Sequence, residues 1–128
     1  MKIIELIKEQ PNFYSLGSIS EEEIILAEER LGINFADDYK SILLQFGAIT
    51  FSGHELTGIC KSKRLNVVDV TLSERDINPN TKDLYVVEIA NVDSIIIWQG
   101  TDGAVYRTKN ASKPVKIGTS LAEYLQIK

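Results

Sequence analysis

Ser20-Glu21-Glu22-Glu23-Ile24-Ile25-Leu26-Ala27-Glu28-Glu29-Arg30-Leu31-Gly32 decides how the rest of the chain is read. Ser20 with Glu23 three residues on is a capping box: the serine oxygen takes a free helical amide and the glutamate reaches back to the cap. Glu21, Glu22 and Glu23 sit at the positive end of the helix dipole. Ile24, Ala27 and Leu31 recur as one apolar stripe, and Gly32 supplies a left-handed stop. The spacing predicts a helix over 21–31. A short link, Ile33 to Ala36, leads to Tyr39, Ile42, Leu43 and Phe46, again one helical face, with Asp37 as its expected cap and Gly47 as its end. Helices joined by so short a link pack against each other.

Towards the N-terminus, Ile3, Leu6 and Ile7 keep helical spacing until Pro11 stops them, and Phe13 and Tyr14 are expected to fold back onto the core. After Gly47 the pattern turns to strand. Ile49 to Phe51 and His54 to Cys60 read as two short strands around Ser52-Gly53. Leu65 to Asp76 is open: its valines suit a strand, whereas Val68, Thr71, Leu72 and Arg75 fit a helix. Asn78-Pro79-Asn80 is a turn. Leu84 to Ala90, Ser94 to Trp98 and Ala104 to Thr108 read as strands, the last two joined by hairpin chemistry in Gly100-Thr101-Asp102-Gly103. Pro114 to Ile117 suits an edge strand, and Thr119 or Ser120 caps a closing helix carrying Leu121, Tyr124 and Leu125. The order gives one α+β domain over residues 1–128, with helices laid on a largely antiparallel sheet. The expected core includes Ile24, Leu31, Tyr39, Leu43, Phe46, Leu56, Ile59, Val86 and Ile97.

Ile24-x-x-Ala27-Glu28-x-x-Leu31-Gly32, then Asp38-Tyr39-Lys40, Leu43, and Phe51-x-Gly53-x-Glu55-Leu56-x-Gly58-Ile59 together resemble the SUKH superfamily. That superfamily includes a yeast cell-wall synthesis regulator and many bacterial immunity proteins. The resemblance covers nearly the whole chain. Ala36 stands where the family usually has proline, and Gly47-Ala48 where it usually has Asn-Gly. The resemblance implies an α+β fold with a helix near 67–76, and Glu28 anchoring its helix to the core. It carries no shared cofactor or catalytic residue. It implies a binding protein, either an immunity protein that blocks a cognate polymorphic toxin, often a nuclease, or a regulatory module of the same fold tied to cell-envelope synthesis.

Composition narrows the function classes independently. The 128 residues are 44% hydrophobic and 25% charged, an ordinary globular balance. No apolar run approaches the length of a membrane span, and Met1-Lys2-Ile3-Ile4-Glu5 is charged too early for a secretory signal, so a cytoplasmic protein is expected. One cysteine, Cys60, and one histidine, His54, exclude a disulfide framework and a Cys- or His-rich metal site. His54-Glu55 and a Cys60–His54 pair are the only hints of acid–base or nucleophilic chemistry, and both read better as strand residues. Asp37 and Asp102 are better explained as cap and turn than as metal ligands. No catalytic residue, metal or cofactor is assigned, and the chain is not expected to be an enzyme.

The net charge is −4, with four basic and ten acidic residues in 1–60 against ten basic and eight acidic in 61–128. Such a chain is a poor nucleic-acid binder and a better match for a basic protein. The acidic run on 21–29 reads as dipole complementarity. Partner contacts are therefore expected on the sheet and its loops, where variation over a rigid scaffold is cheap. The acidic and aromatic side chains placed there are Glu55, Asp69, Glu74, Asp76, Glu88, Asp93, Trp98, Asp102 and Tyr106. Glu88, in Leu84-Tyr85-Val86-Val87-Glu88-Ile89, is expected to be exposed by strand alternation, or else paired.

Overall fold

The computed structural model describes residues 2–51, 53–90 and 94–126. Ser20 opens α2 (Glu21–Leu31) with both halves of the capping box: its Oγ accepts from Glu23 N at 3.2 Å, and its N–H donates to Glu23 Oε1 at 3.3 Å. Gly32 ends the helix at φ 69° and donates to Glu28 O at 2.8 Å. α1 (Lys2–Lys8) precedes it, and α3 (Asp37–Phe46) follows. Asp37 is not the cap of α3. The cap is Ala36, with no side-chain bond, and Asp37 is the first helical residue, where its charge still suits the dipole. Tyr39, Ile42 and Leu43 are wholly buried. Burial of each aliphatic side chain there contributes about 1.5–3 kcal/mol.

The open segment 65–76 is a helix, α4 (Val67–Ile77). Asn66 decides it. Its side-chain oxygen accepts from Val68 N at 2.9 Å and Asp69 N at 3.3 Å, so a cap outweighs the β-preference of the valines. A 3-10 turn, Pro79–Thr81, ends the segment. Ser120, rather than Thr119, caps the short α5 (Leu121–Gln126) through Glu123 N at 3.1 Å.

Seven strands lie in chain order, each antiparallel to the next: β1 (Tyr14–Ser15), β2 (Ile49–Phe51), β3 (His54–Leu56), β4 (Leu84–Ile89), β5 (Ile95–Gly100), β6 (Val105–Lys109) and β7 (Val115–Gly118). α1, α2, α3 and α5 cover one face, with Tyr85, Val87, Ile97 and Val105 beneath them in the main core. Leu84, Val86, Ile96 and Trp98 point the other way, as the two-residue period requires, and meet Val70 of α4 in a second cluster. Every residue expected in the core is buried except Ile59, which packs half-buried against it. Phe13 folds back as expected, its ring 4.9 Å from that of Phe46, but Tyr14 is 62% exposed.

β3 is shorter than the sequence suggested, because the chain turns at Gly58 to bridge Asn66. A Cβ on Gly58 would stand 2.4 Å from Ala48 N and 2.7 Å from Gly47 C, so the glycine lets two backbones touch. Other residues of the recurring pattern are also structural. Glu28 Oε2 accepts from Phe35 N at 2.8 Å and pairs with Lys40 at 3.5 Å, tying α2 to the next loop. Asp38 Oδ2 accepts from Leu121 N at 2.9 Å, capping α5 from 83 residues away. Tyr39 Oη bonds to the Thr57 carbonyl at 2.9 Å.

Candidate functional site

Glu88 overturns the simplest strand argument. In the β4–β5 ladder Val86 faces Trp98, but Glu88 faces Ile97, so Val87 is an extra residue. This bulge slips the alternation by one and turns Glu88 to the side of Ile97, in the main core, instead of the side of Val86 and Trp98. There it is paired. Its Oε2 takes His54 Nδ1 at 2.7 Å and its Oε1 takes Tyr124 Oη at 2.5 Å. Since an ionised carboxylate only accepts, Nδ1 carries the proton in that state. Burial, reinforced by the neighbouring carboxylate, pushes the Tyr124 phenol well above its usual range, so it remains a donor. The three side chains knit β3, β4 and α5 together. Half of an acid–base apparatus is present, a histidine held by a carboxylate, but the thiol of Cys60 is engaged with Ser62 O at 3.5 Å. Burial pushes that thiol above its ordinary range, away from a reactive thiolate. Among the described residues no three His, Cys, Asp or Glu side chains are grouped to hold a metal.

Trp98 is likewise withdrawn from the surface. It is 1% exposed, and its Nε1–H donates to Thr108 Oγ1 at 2.9 Å. Burial of the whole indole beside Val86 and Ile96 excludes the partly exposed strand-end position expected for a contact residue. Tyr106 leans half-buried on the same cluster. Glu55 is half-exposed, but Arg64 grips it twice, at 2.8 and 3.0 Å. The Arg64 guanidinium holds its carboxyl below the ordinary range. Asp102 is exposed in the β5–β6 turn, where Oδ1 accepts from Ala104 N at 3.0 Å. Asp69, Glu74 and Asp76 share α4. Asp93 lies outside the described residues. The expected partner residues are thus distributed over β3, β4, β5, β6, α4 and the β5–β6 turn, with Glu88 and Trp98 buried.

Glu74 lines a groove of about 480 Å³ with Ile77, Ile96 and Ala111. Burial raises its carboxyl above the ordinary range, so ionisation costs the folded state. Folding therefore favours the proton, and stability falls as pH rises from the unfolded value through the folded one. Glu74→Gln is expected to raise stability at neutral pH. The gain should vanish below the ordinary carboxylate range, where Glu74 is protonated in both states. Urea unfolding of both proteins across pH 3–8 checks this; a gain independent of pH would contradict it.

The outward face of α2 was missed by reading 21–29 only as a capped helix. Ile25 and Leu26 lie off the Ile24, Ala27, Leu31 stripe and are 52% and 59% exposed. The signal was legible: two adjacent apolar residues on the face that periodicity assigns to water.

A family profile described as SMI1-KNR4 cell-wall matches residues 1–127. No curated protein matches the chain. A crystal structure of a protein from Pseudomonas syringae pv. tomato superposes with a TM-score of 0.79 at 17% identity, over 98% of this chain and 94% of that one. That likeness speaks for the fold.

Proposed function

The chain belongs to the SMI1-KNR4 cell-wall family of the SUKH superfamily, and from that premise we propose that it works by binding a protein rather than by catalysis, as an immunity protein that neutralises a cognate toxin, a basic nuclease. The observation that carries this reading is the fate of its reactive side chains. The one histidine and the carboxylate beside it are bonded into the core, at 14% and 8% exposure, while the acidic groups left on the surface are on helices and turns. Such a surface suits recognition of a positively charged nuclease cleft, which is built to attract phosphate. Occlusion of that cleft needs no chemistry from this chain. No helix among the described residues is long and apolar enough to cross a membrane.

Co-expression with each neighbouring reading frame that proves toxic when expressed alone tests the reading. Growth is expected to be restored and the two proteins to co-purify. Cys60→Ala should protect as well as the unmodified chain. Toxicity undiminished by abundant folded protein would contradict neutralisation and favour the regulatory role in cell-envelope synthesis.

A further inference from the structure

We propose that the outward face of α2 is the surface that takes the partner, and that the partner's matching patch is apolar at its centre and ringed by Lys and Arg. The inference rests on the neutralisation reading and assigns its contact face. Ile25 and Leu26 form an exposed apolar ridge, and Leu44 of α3, 39% exposed, extends it. On one flank a groove of about 270 Å³ runs between α2 and α3, with Ile25 and Leu44 on its walls. On the other a groove of about 310 Å³ runs between α2 and α4, with Leu26, Ile59 and Val68. A ridge between two troughs offers more shape than a flat face. Clustered apolar side chains with a polar rim are the usual anatomy of an interface.

The rim is net acidic, since Lys40 in the α3 groove is paired with Glu28 and Arg30 is, among the described residues, the one cation on the α4 flank, and the rim's carboxylates set the partner's charge. Glu22 and Glu29 share the outward face with the ridge, and Glu21 borders it on the α3 side. All three are exposed, and none enters an ion pair among the described residues. An acidic or phosphorylated partner would meet like charge there. α4 is the competing face, with exposed Leu72 and Asp76. Its Glu74, however, is partly buried and penalised for ionising, so α4 offers less free charge beside its apolar groups. α2 is also anchored at both ends, by its capping box and by Arg75 Nη1 donating to Leu31 O at 2.8 Å. It therefore presents the ridge without an ordering cost.

The probe is the toxin domain identified by that co-expression, inactivated in its catalytic centre and titrated against the full chain. Ile25→Ala with Leu26→Ala keeps good helix formers on an exposed face, so the fold is preserved. The pair is expected to weaken binding about 100-fold, as loss of central apolar anchors does. Glu22→Gln with Glu29→Gln should slow association about tenfold at low salt and flatten its salt dependence. Binding by the alanine pair within about threefold of the unmodified chain overturns the assignment to α2, and loss of binding on Leu72→Ala with Asp76→Asn moves it to α4; either leaves neutralisation standing. Absence of any complex with the unmodified chain instead contradicts neutralisation itself, and the docking face falls with it.

Discussion

Glu88→Ala is expected to lower stability by about 3–5 kcal/mol, because it removes a buried acceptor from two hydrogen-bond donors at once. In a domain of this size that is a fall of about 10–20 °C in Tm. His54 Nδ1 and Tyr124 Oη would both lose an acceptor inside the core, and an orphaned buried donor costs more than its hydrogen bond had contributed. Charge reversal, Glu88→Lys, should be at least as damaging, since a buried cation would face a histidine. A double-mutant cycle with Tyr124→Phe is expected to show coupling of about 0.5–3 kcal/mol. Urea unfolding with an unchanged m-value would measure it. Wild-type stability in Glu88→Ala would mean that the carboxylate points to solvent and that the β4 bulge does not exist.

Gly58→Ala should be comparably severe, at about 3 kcal/mol or more. The obstacle is backbone rather than a side chain that can swing away: the new Cβ would meet Ala48 N at 2.4 Å and Ala48 Cα at 2.6 Å. Relief would require parting the β3–α4 connection from the α3–β2 corner. That would break the bond from Val67 N to Gly58 O, 2.8 Å, at the start of α4. The usual gain from replacing glycine, about 0.4–1 kcal/mol through the unfolded chain, is too small to offset this. Thermal melts compared with Gly53→Ala separate the two effects, because nothing lies within 4 Å of a Cβ at Gly53 and only its φ of +81° opposes the change. A smaller loss at Gly58 than at Gly53 would contradict the close approach.

The helices show why some of this fold was legible and some was not. Ser20, Glu23 and Gly32 specify both ends of α2 by local chemistry, so its range follows from thirteen residues of sequence. α4 needed one more observation, that Asn66 is a cap, because its valines pull towards strand. Glu88 could not be placed by alternation alone. A bulge is a property of two strands in register, and nothing local to Tyr85-Val86-Val87-Glu88 announces it. The condition that a glutamate there be exposed or paired nevertheless held, since the free energy of burying a lone charge does not depend on which face it occupies. Trp98 failed as a contact for a related reason: α4 covers the second face of β4 and β5, and the segment that forms it was ambiguous in the sequence. The partner surface was the least legible feature. The surface proposed for it is a collection of side chains from α2 and α3 whose proximity is created only by folding.

Stoichiometry tests the central claim, that this chain acts by occupying a partner and not by chemistry, most directly. Toxin-domain nuclease activity should be measured at fixed toxin while this chain is titrated in. Activity is expected to fall linearly to zero at one chain per toxin and to return when the complex is dissociated. Complete inactivation by a small fraction of an equivalent, persisting after the chain is removed, would show that it modifies its partner and would contradict the account.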